Sequence, residues 1–314
     1  DFRYDQIVCE ELAYINEPGF IMPLHSSLCA PYLDTFGNEA QKDRWIPDIV
    51  ADNTIMTVAM TEPGAGSDLA GMRTHAEKKD DHWLLNGSKI YISNGILADL
   101  IIVAAKTNPE NKHAMTLFMI EAGMPGFERG RNLKKLGMKS QDTAELFFND
   151  VKVPPENVLG QVDFGFYYLM QMLAQERLTN ACCAIAGAKA AYDVTKTYVT
   201  ERKAFGREIA KFQNTRFKMA EMKTEIDIGQ VFVDRCVMDH NQQQLKDDIA
   251  AEAKLWTTEL LCKVVDQCVQ LHGGAGYMWE YPITRMYANA RIQRIFAGTS
   301  EIMKEIIGRA NGFA

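Results

Sequence analysis

The sequence lacks the cysteine and histidine spacings that bind metals. Its seven cysteines are an odd number without a CxxC pair, and its six histidines show no HxH or HxxxH spacing. Zinc sites need such clustered ligands. We therefore expect neither a metal site nor a disulfide framework, and we interpret the cysteines as reduced thiols of a reducing compartment.

Long apolar runs and an excess of basic residues are also missing. No window approaches the roughly 18 uninterrupted apolar residues of a membrane helix, and no signal peptide opens the chain. Across 314 residues the formal net charge is -7, whereas proteins that bind nucleic acids usually have basic surfaces. We predict no membrane span and no nucleic-acid partner. Because the chain starts at Asp1 inside an amphipathic pattern, we expect further helices upstream.

Three stretches of different periodicity follow one another along the chain. Residues 1–53 show short helical patterns, residues 54–160 show strand-like runs, and residues 161–314 show long helical patterns typical of a bundle. No crossover helices separate the strand-like runs, which disfavours a parallel Rossmann sheet. We predict a mostly α protein with a central β domain, in which Asn86-Gly87 is the turn of a hairpin.

TEPGAGSD (61–68) is a small-residue loop that follows a strand-like run. Its glycines let backbone N–H groups approach a ligand, and Thr61 and Ser67 can donate from their hydroxyls. The loop matches neither the GxGxxG nor the Walker pattern. Taken alone, it is better explained as an ordinary Gly-Pro loop.

Two further motifs lie where long helical patterns end. In RKAFG (202–206) the cations suit a helix C-terminus and Gly206 suits its cap, although Arg202 could instead grip a pyrophosphate. QLHGGAGYMWEYP (270–282) has more glycines than a cap needs, which indicates close approach to a ligand or another subunit. His272 alone is more often structural than catalytic.

The last motif, FAGTSEIMKEI (296–306), begins the final helical pattern. Thr299 or Ser300 is the candidate N-cap, and Glu301 lies in the first turn. A helix N-terminus can also cradle an anion or a carbonyl oxygen. Locally, the capping interpretation is sufficient.

Five stretches occur together in this order: TEPGAGSD, KIYISN, RKAFG followed by Gln213, QLHGGAGY and AGTSEIM. Together they resemble the acyl-CoA dehydrogenase family, FAD enzymes that introduce an α,β double bond into acyl-CoA thioesters. The resemblance runs from about residue 5 to 311. With QERL, YMWEYP and GTSEIMKE it is closest to the long-chain type, which acts in fatty-acid β-oxidation.

The resemblance implies N-terminal helices, a middle β-barrel and a C-terminal four-helix bundle, with flavin between the last two. Residues 1–53 then form the remainder of an N-terminal helical domain, residues 54–160 the barrel and residues 161–314 the bundle. The resemblance also implies homotetramers, as dimers of dimers built from bundle contacts, and transfer of electrons to electron-transfer flavoprotein. The expected compartment is the bacterial cytoplasm or the mitochondrial matrix.

The resemblance also assigns binding residues, part of them expected to serve a neighbouring subunit. Positions matching the family's FAD site are Met60, Thr61, Ser67, Tyr91, Ile92, Ser93, Arg202, Phe205, Gln213, Gln270, Leu271, His272, Gly273, Gly274, Thr299 and Glu301, the last being Gln in many relatives. Positions matching the substrate site are Ser67, Arg177, Ala297 and Gly298.

The catalytic base distinguishes subfamilies. Many members carry a Glu immediately before the Gly-Thr of the last motif, where this chain has Ala297. Long-chain and isovaleryl-type members instead place the Glu in a bundle helix, within a segment like AQERL, which implies Glu176 as base. Neither Met172 nor Asn180 can pair with Glu176 as an ordinary surface ion pair would. The resemblance further implies that the Ala297 N–H and a flavin ribityl hydroxyl hold the thioester oxygen.

Other functions remain open from the sequence. A branched-chain enzyme of the isovaleryl or citronellyl type differs in pocket depth, which no motif reports. An oxidase of the same fold would pass electrons to oxygen. A non-enzymatic flavin-binding partner subunit is the third alternative, supported by Ala297 only if Glu176 faces away from the flavin.

Overall fold

A computed structural model describes residues 1–17 and 19–313. Two compact units are present. One comprises Asp1–Phe20, Leu136–Met138 and Leu173–Ala314, and the other comprises Ile21–Lys135 and Lys139–Met172. Each has its own hydrophobic core. The domain boundaries predicted from the sequence stay a prediction.

The second unit begins with short helices. A π-helical segment, Leu24–Cys29, continues into α2 (Ala30–Phe36), and α3 (Glu39–Val50) follows. Asn38 and Gln41 form a reciprocal capping box at the start of α3, because each side chain accepts from the other's backbone N–H. Trp45 and Ile49 of α3 are buried in a core shared with the adjacent strands.

The sheet of this unit has eight strands. They are β1 (Met56–Ala59), β2 (His75–Lys78), β3 (Trp83–Ser93), β4 (Leu100–Lys106), β5 (Met115–Glu121), β6 (Phe127–Asn132), β7 (Thr143–Val153) and β8 (Val158–Leu159). The order is β6-β7-β3-β2-β4-β5-β8, with β1 paired to β4. The β1–β4 and β2–β4 pairs are parallel and the remaining pairs antiparallel. A Rossmann sheet is thus excluded for the described strands.

The predicted hairpin at Asn86-Gly87 is wrong, because both residues lie inside β3. Gly87 has φ +146 and coincides with a register shift against β7, which is a bulge. A Cβ on Gly87 would lie 2.5 Å from the Thr74 hydroxyl oxygen, so close packing explains this glycine. The actual turn between β2 and β3 is closed by the Lys79 N–H, which donates to the His82 carbonyl at 2.8 Å.

The first unit is helical. It contains α1 (Arg3–Tyr14), most of α4 (Gly165–Glu201), α5 (Gln213–Asn241), α6 (Asp247–His272), α7 (Pro282–Ala290) and α8 (Ser300–Ala310). Leu178, Ile185, Ile226, Val233 and Val264 are among the residues of its shared core. The predicted order of helices, β domain and long helices is confirmed. In the part of the chain that the structure describes, no helix is long and apolar enough to span a bilayer.

The RKAFG motif is not a helix cap, contrary to the prediction. α4 ends at Glu201, and a two-residue turn connects the short strands β9 (Lys203–Ala204) and β10 (Arg207–Glu208). Phe205 and Gly206 occupy that turn with φ 52 and φ 77. Two successive residues of positive φ match the twist of a hairpin turn. Phe205 consequently stands at the tip, 95% exposed.

Candidate active site

Glu176 lies in the first third of α4, next to residues that are buried in the core. Leu178 and Ile185 of the same helix are fully buried, and Glu176 is half-buried. Desolvation by burial raises the pKa of Glu176 to about 7, against the opposing charges of Arg177 and Lys254. A carboxyl group with a pKa near neutrality can exchange a proton in either direction at physiological pH.

Arg177 is almost completely buried beside Glu176. Its side chain interacts electrostatically with Asp247 and Glu176, and burial lowers its pKa. The Nε of Arg177 has no hydrogen-bond partner within residues 1–17 and 19–313. Arg177 therefore holds a charge close to the carboxylate, while its contact with the CoA portion stays a prediction.

Lys254 is a buried cation beside this site that the sequence motifs did not indicate. It lies on α6, is fully buried, and donates a hydrogen bond to the Gly298 carbonyl oxygen. A signal was available, since Lys254 shares a helix face with Ala250, Thr257 and Leu261. A lone cation within such a buried face is uncommon and requires a specific partner.

The turn before α8 has an unusual backbone. Ala297 and Gly298 have φ 54 and φ 89. Glycine is favoured at position 298 because its positive φ would strain any other residue, and an added Cβ would also lie 2.6 Å from the Met303 methyl carbon. The predicted N-cap is confirmed at Thr299, whose hydroxyl accepts from the Ile302 N–H at 3.3 Å. Because residue 297 is alanine, this turn offers no carboxylate.

Glu259 of α6 holds the residues on both sides of the same turn by hydrogen bonds. Its carboxylate accepts from Ser300 Oγ at 2.7 Å and from Arg294 Nε at 2.8 Å. Glu301, in the first turn of α8, is exposed. Hydrogen bonds of its own backbone N–H and the Thr299 hydroxyl lower the pKa of Glu301. Glu176, Lys254 and the Ala297–Gly298 turn are thus brought together within the helical unit.

In the other unit, the TEPGAGSD loop is held by a buried ion pair that the sequence did not reveal. Lys89 Nζ lies 2.8 Å from Glu62 Oε1, with side chains 0% and 6% exposed. The same ammonium donates to the Met60 carbonyl at 3.0 Å. Glu62 also accepts from the backbone N–H groups of Arg73 at 2.6 Å and Thr74 at 3.0 Å. The loop is therefore fixed to β3.

The predicted flavin-facing residues of this unit lie next to that pair. The Ile90 N–H donates to the Thr61 carbonyl at 2.9 Å, and the Thr57 hydroxyl donates to the Ser93 carbonyl at 2.6 Å. Tyr91 has φ 62 and is 65% exposed, which is a strained conformation for a bulky side chain. Ile92 is buried and Ser67 is exposed. Thr61 is thus joined to the strand that carries Tyr91.

The ends of α4 and α6 meet in the helical unit. The Tyr198 ring stacks on His272 with centroids 4.1 Å apart, and its hydroxyl donates to the His272 carbonyl at 3.1 Å. His272 Nδ1 bonds the Cys268 carbonyl at 2.8 Å, so its ring is engaged structurally. The other predicted residues of this group are Arg202, Phe205, Gln213, Gln270, Gly273 and Gly274, which are exposed, and Leu271, which is half-buried.

Profiles of three protein domains match the chain in order. They are described as the acyl-CoA dehydrogenase N-terminal domain over residues 1–53, middle domain over residues 57–151 and C-terminal domain over residues 163–311. Together these matches cover nearly all of the sequence. The breaks between them coincide with the changes from helical to strand-like pattern and back.

Individual relatives agree with the domain matches. The chain is 50% identical to the mitochondrial long-chain specific acyl-CoA dehydrogenase of Sus scrofa, over 96% of this chain and 71% of that protein. It is 38% identical to the mitochondrial isovaleryl-CoA dehydrogenase of Pongo abelii, over 97% and 73%. The crystal structure of an acyl-CoA dehydrogenase from Geobacillus kaustophilus superimposes with a TM-score of 0.98 at 45% identity, covering 99% and 83%. The chain therefore belongs to the acyl-CoA dehydrogenase family.

Proposed function

We propose that this protein removes hydrogen from the α and β carbons of acyl-CoA thioesters, with Glu176 as the base. The observation that carries this proposal is a half-buried carboxyl group on α4 with a pKa of about 7, in the unit whose Ala297 turn lacks a carboxylate. An acyl α-proton is a weak acid, so its removal needs a carboxylate positioned out of bulk water. Glu176 meets that requirement.

Enzymes of this family are FAD flavoproteins, and the residues present fit that cofactor. A Cβ added to Gly64 or Gly66 would meet no atom within 4 Å, so packing within the described chain does not require glycine at either position. A ligand that approaches the backbone of this loop closely would require it. Thr61 and Ser67 supply hydroxyls, and exposed Arg202 supplies the planar guanidinium that suits a diphosphate. Bound FAD supplies the acceptor for the hydride from the β-carbon.

The chain's own groups perform the remaining steps. Glu176 takes the α-proton. The thioester oxygen then gains negative charge, which a backbone N–H can stabilise. The Ala297 N–H is the proposed donor, because Gly298, Thr299 and the bonds to Glu259 hold that turn in one conformation. Arg177 adds positive charge beside the base.

The substrate class follows from the relatives. Proteins named long-chain specific acyl-CoA dehydrogenase reach 50% identity, whereas one named isovaleryl-CoA dehydrogenase reaches 38%. We favour long-chain acyl-CoA in fatty-acid β-oxidation, with electron-transfer flavoprotein as electron acceptor. Relatives occur in mitochondria and in Bacillus subtilis, so the proposed compartment is the mitochondrial matrix or the bacterial cytoplasm.

A homotetramer is supported by apolar surface on the bundle helices. Ile228 and Val231 of α5 are 58% and 70% exposed, and Trp256 of α6 is 46% exposed. We propose that a neighbouring copy of this chain covers these side chains, because exposed apolar surface of this kind is typical of oligomer interfaces.

The experiment for substrate class is anaerobic bleaching of the flavin in single turnovers with octanoyl-CoA, palmitoyl-CoA and isovaleryl-CoA. We expect the ratio of the rate constant for flavin reduction to the dissociation constant of the thioester to be highest for palmitoyl-CoA. A preference for isovaleryl-CoA would replace the long-chain proposal with the branched-chain one. No bleaching by any of the thioesters would contradict the enzymatic function.

Substitution of the open glycines tests the cofactor loop. We expect Gly64→Ala and Gly66→Ala to leave the free energy of unfolding of the apoprotein within about 1 kcal/mol of the original, since neither Cβ meets a neighbour. FAD affinity, measured by fluorescence titration, should fall by about tenfold or more. Gly308→Ala in α8, which also meets nothing within 4 Å, is the control and should leave affinity unchanged. Unchanged affinity in both loop variants would show that the loop does not contact FAD.

A further inference from the structure

Lys254 is buried without a carboxylate in contact. Its residue exposure is 0%, and its ammonium donates to the neutral carbonyl of Gly298. Among the residues that the structure describes, no carboxylate lies at ion-pair distance from it. Lys89 in the other unit differs, because Glu62 pairs with it at 2.8 Å. Lys254 therefore needs a separate explanation.

The position of Lys254 is costly for folding. Burial lowers its pKa to about 8, with desolvation as the largest cause. An ammonium group in an apolar interior without an adjacent counter-ion destabilises the folded state. A methionine has similar length and carries no charge, so it would occupy this position without that cost. A costly buried charge points to a functional rather than a stabilising role.

The charges around Lys254 include the proposed base. Glu176 and Arg177 act on it from α4, Glu259 from its own helix α6, and Glu301 from α8. In the reciprocal direction, Lys254 favours the ionised form of Glu176 and so lowers the pKa of that carboxyl group. Lys254 and Arg177 are the two cations that oppose the effect of burial on Glu176.

The hydrogen bond of Lys254 ends on the strained turn. Ala297 has φ 54, a conformation that a non-glycine residue adopts only when its surroundings hold it there. The Gly298 carbonyl is the next carbonyl along the chain, and Lys254 donates to it. The Lys254 ammonium group thus bonds the turn that carries the proposed oxyanion donor and also interacts electrostatically with the proposed base, Glu176.

We propose that Lys254 is a positioning residue for the reaction: it fixes the Ala297–Gly298 turn through the Gly298 carbonyl and supplies positive charge that favours ionised Glu176. This inference rests on the proposed function, in which Glu176 takes the α-proton. It makes Lys254 a residue that contributes to rate at the expense of stability.

The test compares Lys254→Met and Lys254→Arg in the FAD-loaded full-length protein. Flavin bleaching by palmitoyl-CoA is followed across pH, together with FAD content and thermal unfolding. We expect Lys254→Met to keep FAD, to unfold at the original temperature or higher, and to bleach about tenfold more slowly. Its rate should rise with pH through a midpoint shifted upward, because ionised Glu176 has lost a stabilising charge. Lys254→Arg should return the midpoint toward its original value.

A matched control is available on the same helix. Lys263 pairs with Glu225 at 2.6 Å and is 50% exposed, so Lys263→Met should change neither the rate nor the midpoint. If Lys254→Met unfolds at a lower temperature and its midpoint is unchanged, Lys254 has a packing role and the inference is wrong.

Glu176→Gln, measured in parallel, separates this inference from the proposed function. If Glu176→Gln bleaches at the original rate, the base is elsewhere and both proposals fall. If it is inactive while Lys254→Met keeps the original midpoint, only the inference about Lys254 fails.

Discussion

Replacing Glu176 with glutamine is expected to slow flavin reduction by acyl-CoA by about 1,000-fold or more. Glutamine preserves the shape of the side chain but cannot accept the α-proton, and a positioned general base commonly contributes factors of this size. The measurement is stopped-flow bleaching with palmitoyl-CoA after the FAD content of both proteins has been matched. FAD binding should be unchanged, because the substitution removes only the ionisable group.

Glu305→Gln provides the control for this substitution. Glu305 lies on α8, is exposed, and pairs with Arg309 at 2.6 Å, outside the proposed site. It should keep the original rate. If Glu176→Gln also kept the original rate, Glu176 would not be the base, and the subfamily assignment that rests on Ala297 would lose its catalytic residue.

Glu176 also makes stability depend on pH in a defined direction. Its pKa in the folded protein is about 7, above the ordinary glutamate value of 4.5. Below the lower value the carboxyl group is neutral in both states, and its burial costs nothing extra. Between pH 4.5 and about 7 the carboxyl group ionises in the unfolded chain but stays neutral in the folded protein, so the free energy of unfolding falls as pH rises. Above about pH 7 the loss is complete and amounts to about 3 kcal/mol. Glu176→Gln should therefore be more stable than the original above neutral pH, with no difference under acidic conditions. Thermal unfolding at several pH values measures this.

The substitution Lys89→Met is expected to lower the free energy of unfolding by about 3–5 kcal/mol, because it leaves the Glu62 carboxylate buried without its cation. Glu62 has a depressed pKa: burial opposes ionisation, but Lys89 and the donors at Thr74 and Arg73 outweigh it. That stability is present above the ordinary carboxyl range and is lost as pH falls through the depressed pKa. Urea unfolding of the apoprotein gives the value.

The double variant Glu62→Gln with Lys89→Met distinguishes an unpaired charge from lost packing. We expect it to recover much of the loss, since both charges have been removed together. Lys79→Met is the control in the same unit. Lys79 pairs with Glu77 at 2.6 Å, but those side chains are 37% and 66% exposed, so the change should cost less than about 1 kcal/mol. A double variant as unstable as Lys89→Met alone would show that packing dominates.

The failed local predictions share a physical cause. Asn86-Gly87 has the composition of a hairpin turn, yet Thr74 occupies the space where a side chain on Gly87 would lie. RKAFG has the composition of a helix end, yet residues 203–208 pair as a short hairpin. In each case a glycine permits several backbone conformations. Close packing against Thr74 selects one at Gly87, and the pairing of residues 203–204 with 207–208 selects one at Gly206.

Residue order alone determined the succession of helices, strands and long helices, because hydrophobic periodicity depends only on near neighbours. It also determined that residue 297 cannot be the base, since alanine has no carboxylate, and it gave the motifs by which the family resemblance was found. The tertiary structure decided which charges meet. Lys89 and Glu62 are 27 residues apart and Lys254 and Gly298 are 44 apart. Chain folding alone brings such groups together, and burial then sets their pKa values, because desolvation depends on the complete packed surroundings.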